Sequence, residues 1–141
     1  MKKNDLKKII IFYPSFERGG VEIILLNLIN FFLKKKIEIV LITSNIKKGA
    51  IKNKKFQSRI VKEKPFAIIP DRISKALTAS KILINEIKKS DKNNTIILSL
   101  QGSSLAILVS KFLGFKIIVR NAEDAISSTF FAENKFQSLI I

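Results

Sequence analysis

The chain contains no cysteine and no histidine. Without thiols there is no disulfide framework and no thiolate metal site, and without imidazole the usual near-neutral base and metal ligand is missing. Tryptophan is absent too, and with only 5 glycines and 3 prolines an adjacent glycine pair stands out. Arginine is scarce: only four of the 26 basic residues are Arg, so the net charge of +15 rests on lysine. Arg supplies the bidentate fork that reads guanine and phosphate, so a lysine-borne charge makes a diffuse field, and no nucleic-acid partner is expected. The abundance of Ile, Lys, Asn and Phe also matches the bias of an AT-rich coding sequence. Long apolar runs are missing as well. Residues 9–13 are too short for a signal-peptide core, and residues 23–33 are broken by Asn27 and Asn30, short of the about 20 residues that span a bilayer. The expectation is a cytoplasmic chain, peripheral at the inner face of the membrane where its lysines meet anionic lipid.

What remains is enough for a core. At 141 residues and 47% apolar composition the chain reads as a single domain rather than a disordered segment. Residues 9–13 and 37–43 are continuous β-rich runs, the mark of strands covered on both faces of a parallel sheet. Between them residues 21–33 are helical, with Asn27, Asn30 and Lys34 forming a narrow polar stripe, so cover on more than one side is expected. Residues 46–64 are basic and irregular, with a short strand at 58–61. Asp71 is an N-cap candidate for a helix through residue 89, with apolar positions 73, 76, 77, 83, 84 and 87 at helical spacing. A strand at 95–100, a helix capped by Ser103 or Ser104 and closed by Gly114, and a strand at 116–120 complete the pattern. Alternating strands and helices with short connections specify an α/β fold: a Rossmann-like open parallel sheet with helices on both faces.

In such sheets ligands bind beyond the carboxyl ends of the strands. Three loops meet that edge: 14–20, 101–104 and 120–124. Gly19 and Gly20 allow close approach of backbone to ligand and dihedrals closed to other residues, and the following helix directs its free N–H groups at the loop. Glu22 serves either a ligand or the dipole of its own helix, a benefit of about 0.3–1 kcal/mol. Gln101, Ser103 and Ser104 are candidates for hydrogen bonds to hydroxyls, although a serine there also caps a helix. Arg120 either holds a phosphate or pairs with Glu123 or Asp124.

Residues 9–13, Gly19-Gly20-Val21-Glu22, Leu25-Leu26-Asn27-Leu28 and residues 36–43 resemble the opening of family-4-like glycosyltransferases, which usually read Gly-Gly-Ala-Glu-Arg before a helix and then a strand ending in Thr. Residues 96–101 and 116–121 sit where that family has its fourth and fifth strands, so the resemblance covers about 120 positions. It implies the N-terminal half of a GT-B fold: the acceptor-side domain of a retaining enzyme that moves a sugar from a nucleotide-sugar donor to a glycan or lipid-linked acceptor in cell-surface polysaccharide biosynthesis. Gly19, Gly20, Glu22, Gln101, Ser103, Arg120, Asn121 and Glu123 are the substrate-binding residues it suggests. No catalytic residue follows from it. Some members carry a His where this chain has Asn121, and an amide cannot act as a general base near neutral pH. Retaining members are thought to let the leaving diphosphate take the acceptor proton, with no metal or other cofactor. The donor is held mainly by a C-terminal domain with paired glutamates. The apolar residues 136–141 suggest a truncated protein whose missing domain, or a separate partner chain, would supply them, so the chain alone is expected to be inactive. The alternative is a non-catalytic Rossmann-like module for a phosphate or nucleotide, weakened by the lack of a Gly-x-Gly-x-x-Gly fingerprint and of an acidic residue after Thr43-Ser44-Asn45.

Overall fold

The computed structural model describes residues 5–14, 20–46, 51–62, 71–101 and 103–120. They form β1 (Lys8–Tyr13), α1 (Gly20–Lys34), β2 (Glu38–Thr43), β3 (Phe56–Ile60), α2 (Asp71–Lys88), β4 (Thr95–Ser99), α3 (Ser103–Leu113) and β5 (Lys116–Val119). The strands make one five-stranded sheet in the order β3-β2-β1-β4-β5, and every neighbouring pair is parallel. This is the expected Rossmann-like α/β architecture.

The alternation of side chains along β1 and β2 decides which face each residue serves. Ile9, Ile11 and Tyr13 pack with Ile39 and Leu41 under Leu25 and Ile29 of α1. Ile10 and Phe12 pack with Val40 and Ile42 against Ala79, Leu83 and Ile87 of α2 and Ala106 of α3. Helices therefore cover both faces, and each buried side chain of this size contributes about 1.5–3 kcal/mol of transfer free energy.

Near the amino edge a charged cluster ties the layers together. Glu86 of α2, almost wholly buried, accepts a hydrogen bond from Arg59 Nε of β3 at 2.6 Å and lies 4.0 Å from Lys8 Nζ of β1. Lys8 also faces Glu38 of β2 at 3.8 Å, and Arg59 Nη2 donates to Gln57 Oε1 at 2.7 Å. The cluster links three strands to one helix.

Two helices end alike. Lys36 (φ 62°) and Gly114 (φ 73°) both adopt the left-handed conformation just past α1 and α3. At α1 the Ile37 N–H donates to Phe32 O and the Lys36 N–H to Leu33 O; at α3 the Phe115 N–H donates to Ser110 O and the Gly114 N–H to Lys111 O. This is the Schellman pattern, which satisfies carbonyls that the helix itself leaves open.

Three expectations need correction. The short third strand begins at Phe56, not at 58, because Phe56 and Gln57 pair with Ile39 and Val40 along β2. The outer side of α1 is not covered among the described residues: Ile23 and Phe31 stand 64% and 54% exposed. On α2, Ile73 and Leu77 share the helical apolar spacing yet lie on its exposed flank.

Candidate functional site

The carboxyl edge is where the chain changes direction across the sheet. After β1 it enters α1 on one face, and after β4 it enters α3 on the other, although β1 and β4 are paired neighbours. Diverging connections from adjacent strands leave a crevice between them, the topological switch point at which open parallel sheets bind ligands. Pairing continues one step beyond the strands at this edge. Leu100 N–H donates to Phe12 O at 3.0 Å, Arg120 N–H to Ser99 O at 3.0 Å, and Val61 N–H to Thr43 O at 2.8 Å. The rim of the crevice is therefore held by the ladder.

Register places Thr43 opposite Tyr13, and the extended pairing sets Leu100 beyond Phe12 and Arg120 beyond Ser99. By alternation Thr43, Tyr13, Leu100 and Arg120 all belong to the face that carries α1. Thr43 and Arg120 bracket the row across three strand spacings, about 14 Å. Two polar atoms in this row are buried without a hydrogen-bond partner among the described residues: Thr43 Oγ1 and Arg120 Nη1. A buried, unpartnered hydroxyl or guanidinium nitrogen costs about 1–3 kcal/mol or more, and a ligand oxygen would relieve it.

Gly20 opens α1 and Glu22 lies in its first turn. Gly20 does not use the left-handed freedom expected of it, and a Cβ built there would meet nothing within 4 Å. Its contribution is open space at a helix N-terminus. Gln101 follows β4, half-buried, with its carbonyl accepting from Ser99 Oγ at 3.4 Å. Ser103 is the first residue of α3, and Arg120 follows β5. Gly19, Asn121 and Glu123 lie outside the described residues, as does Asp124. The topology thus brings Gly20, Glu22, Gln101, Ser103 and Arg120 to one edge. Thr43 and Tyr13 join them there, and the signal for both was present: each is a polar residue closing a continuous β-rich run.

The electrostatics of the edge favour an anion. The first turn of α1 presents unpaired N–H groups and the positive end of the helix dipole, and Arg120 adds a permanent charge. Among the described residues no three acidic side chains cluster as they would to hold a metal ion.

A solved structure shares this architecture. It is a UGT transferase from Siraitia grosvenorii in complex with UDP, matching 88% of this chain with a TM-score of 0.62 at 13% sequence identity. The fold is glycosyltransferase-like. The chain spans about 30% of the length of that protein, and at such low identity the likeness extends to the fold alone. No protein-family model matches the sequence, and no curated protein matches it. Among the described residues no helix is long and apolar enough to cross a membrane.

Proposed function

We propose that the chain forms the acceptor side of a retaining glycosyltransferase, which moves a sugar from a nucleotide-sugar donor to a glycan or lipid-linked acceptor in cell-surface polysaccharide synthesis. The observation that supports it best is the switch point between β1 and β4, where two buried polar atoms on the α1 face of the carboxyl edge, Thr43 Oγ1 and Arg120 Nη1, lack a hydrogen-bond partner among the described residues. Gly20 and Glu22 of the family-4-like pattern open the helix that follows β1.

In a retaining transfer the bond between the anomeric carbon and the diphosphate oxygen breaks and a bond to the acceptor oxygen forms on the same face. The acceptor hydroxyl proton passes to the departing diphosphate oxygen, which suits a chain that has no imidazole. Negative charge grows on the diphosphate as it leaves. The α1 N–H groups and the Arg120 guanidinium are the fixed positive groups near that edge, and they stabilise such charge without reorganising. Thr43 Oγ1 is buried without a partner among the described residues, and a sugar hydroxyl that reached it would supply one. This chain would hold only the diphosphate edge of the donor site, and the remaining donor-holding groups would come from a second domain or chain, so the chain alone is expected to bind UDP but to lack transfer activity.

The test is a nuclear magnetic resonance titration of the full chain with UDP and, separately, with a prenyl-diphosphate-linked monosaccharide. Shifts are expected at the amides of Gly20, Glu22, Thr43, Gln101 and Arg120 with both. Shifts confined to the lysines of the amino edge, or none, would refute the proposal. The unpartnered Arg120 nitrogen also suits a simple phosphate-binding module, and that reading prevails if UDP and inorganic diphosphate shift these amides equally while the linked sugar adds nothing.

A further inference from the structure

Away from the carboxyl edge, the outer surface of α2 and α3 carries an apolar groove that the sheet does not use. Ile84 and Lys88 of α2 face Leu108, Val109, Phe112 and Leu113 of α3 across an open cavity of about 470 Å³. Phe112 is 92% exposed and Leu108 58%. Ile73 and Leu77 continue the stripe toward the start of α2, since positions 73, 77, 84 and 88 share one flank of a helix. These are not residues displaced from the core; the core positions of the same helices are Ala79, Leu83, Ile87 and Ala106.

Among the described residues the exposed charge around the groove is positive. Lys81, Lys88 and Lys111 stand exposed on the two helices, and Lys89, Lys92 and Lys116 continue the array at their C-terminal ends. The neighbouring carboxylates are occupied elsewhere. Glu86 points into the Lys8–Arg59 cluster, and Asp91 accepts from the Asn93 N–H and from Asn94 Nδ2, each at 3.0 Å.

We infer that this α2–α3 face docks on an anionic lipid surface, with Phe112 and Leu108 entering the acyl boundary and the lysines reaching the headgroups. An aromatic and aliphatic stripe bordered by lysines is how interfacial helices bind, and lysine stems cover apolar surface while their ammonium groups stay in the headgroup layer. A second copy of the chain is disfavoured as occupant, because it would bring two faces bordered by exposed lysines together, and like charges repel. The docking plane runs along the helices and parallel to the sheet, so the carboxyl edge opens sideways along the membrane. Docking is independent of the sugar-transfer reading, because the two surfaces share no residue.

The chain has no tryptophan, so Phe112→Trp installs a single fluorescent reporter in the full chain. Mixed phosphatidylcholine–phosphatidylglycerol vesicles are expected to blue-shift its emission, and brominated acyl chains to quench it. In co-sedimentation, Lys88→Gln or Lys111→Gln should each weaken binding about fivefold, and Phe112→Ser or Leu108→Ser about tenfold. Both serine variants alter exposed side chains and should keep the parent circular-dichroism spectrum. Lys35→Gln, on the far side of the sheet, is the control for diffuse charge. The inference falls if vesicles do not bind, if they bind without moving the emission band of the reporter, or if Lys35→Gln weakens binding as much as Lys88→Gln while Phe112→Ser has no effect. It falls equally if the reporter is already blue-shifted in buffer and the chain sediments as a dimer.

Discussion

The matched ends of α1 and α3 allow one backbone term to be measured in both directions. Lys36 and Gly114 occupy the same position of the same motif, with φ of 62° and 73°. A left-handed conformation costs an L-residue about 1–2 kcal/mol and glycine almost nothing, while glycine loses about 0.4–1 kcal/mol more in unfolded-chain entropy. The difference leaves Lys36→Gly more stable by about 1 kcal/mol and Gly114→Ala less stable by a similar amount. At Gly114 no steric contribution confuses the result, because an added Cβ meets nothing within 4 Å. At Lys36 the tertiary bond survives, since Lys55 Nζ donates at 2.8 Å to the backbone carbonyl rather than to the side chain. Lys36→Ala keeps the strain and removes the side chain, so it reports any contribution of the ammonium alone. The assay is urea unfolding followed by circular dichroism with an unchanged m-value, and each shift corresponds to about 4 °C in Tm. A destabilised Lys36→Gly, or a Gly114→Ala indistinguishable from the parent, would refute the reasoning.

Glu86→Ala should cost about 2 kcal/mol in the same assay, because it removes the 2.6 Å bond from Arg59 and leaves Lys8, only 14% exposed, with Glu38 as its one carboxylate among the described residues. Glu38→Ala, at a pair with a 42% exposed carboxylate, should cost less than about 1 kcal/mol, and equal losses would sink the distinction. Gly20→Ala is expected to leave stability unchanged or slightly raised, since the site is open and helical, while weakening UDP binding measured by calorimetry; undiminished binding would remove Gly20 from the site. Arg120→Leu should lower UDP affinity about tenfold or more with little change in Tm, and a large fall in Tm with intact binding would make Arg120 a structural residue instead.

Much of the fold was legible because β1 and β2 carry their own signal. Runs such as Ile9 to Phe12 and Ile39 to Ile42 are apolar at every position, which only a strand covered on both sides requires. β3 was harder: Phe-Gln-Ser-Arg-Ile is half polar, and its extent is set by the β2 ladder and by Asn53, whose Oδ1 accepts from the Lys55 N–H at 2.9 Å. The apolar content of α1 suggested cover on several sides, but composition does not say which neighbours exist, and Ile23 and Phe31 remain exposed among the described residues. Gly20, Glu22, Gln101 and Arg120 could be placed at the carboxyl edge from element order alone. That Thr43 Oγ1 and Arg120 Nη1 lack partners could not, since satisfaction of a polar atom depends on burial and on every neighbour at once.

The strand order also sets a schedule for assembly. Lys8 of β1 pairs with Glu38 on one side and with Thr95 on the other, about three times farther along the chain. Closing the longer loop costs about 1 kcal/mol more in chain entropy, so the β3-β2-β1 half is the cheaper one to form and β4-β5 joins a surface already built. Protection of β2 amides before β4 amides in pulse-labelled hydrogen exchange is the expected order, and simultaneous protection would show that the sheet forms as one unit. On this schedule the crevice between β1 and β4 is the last part of the sheet to exist, and the carboxyl edge at the switch point is complete only with the final strand pairing.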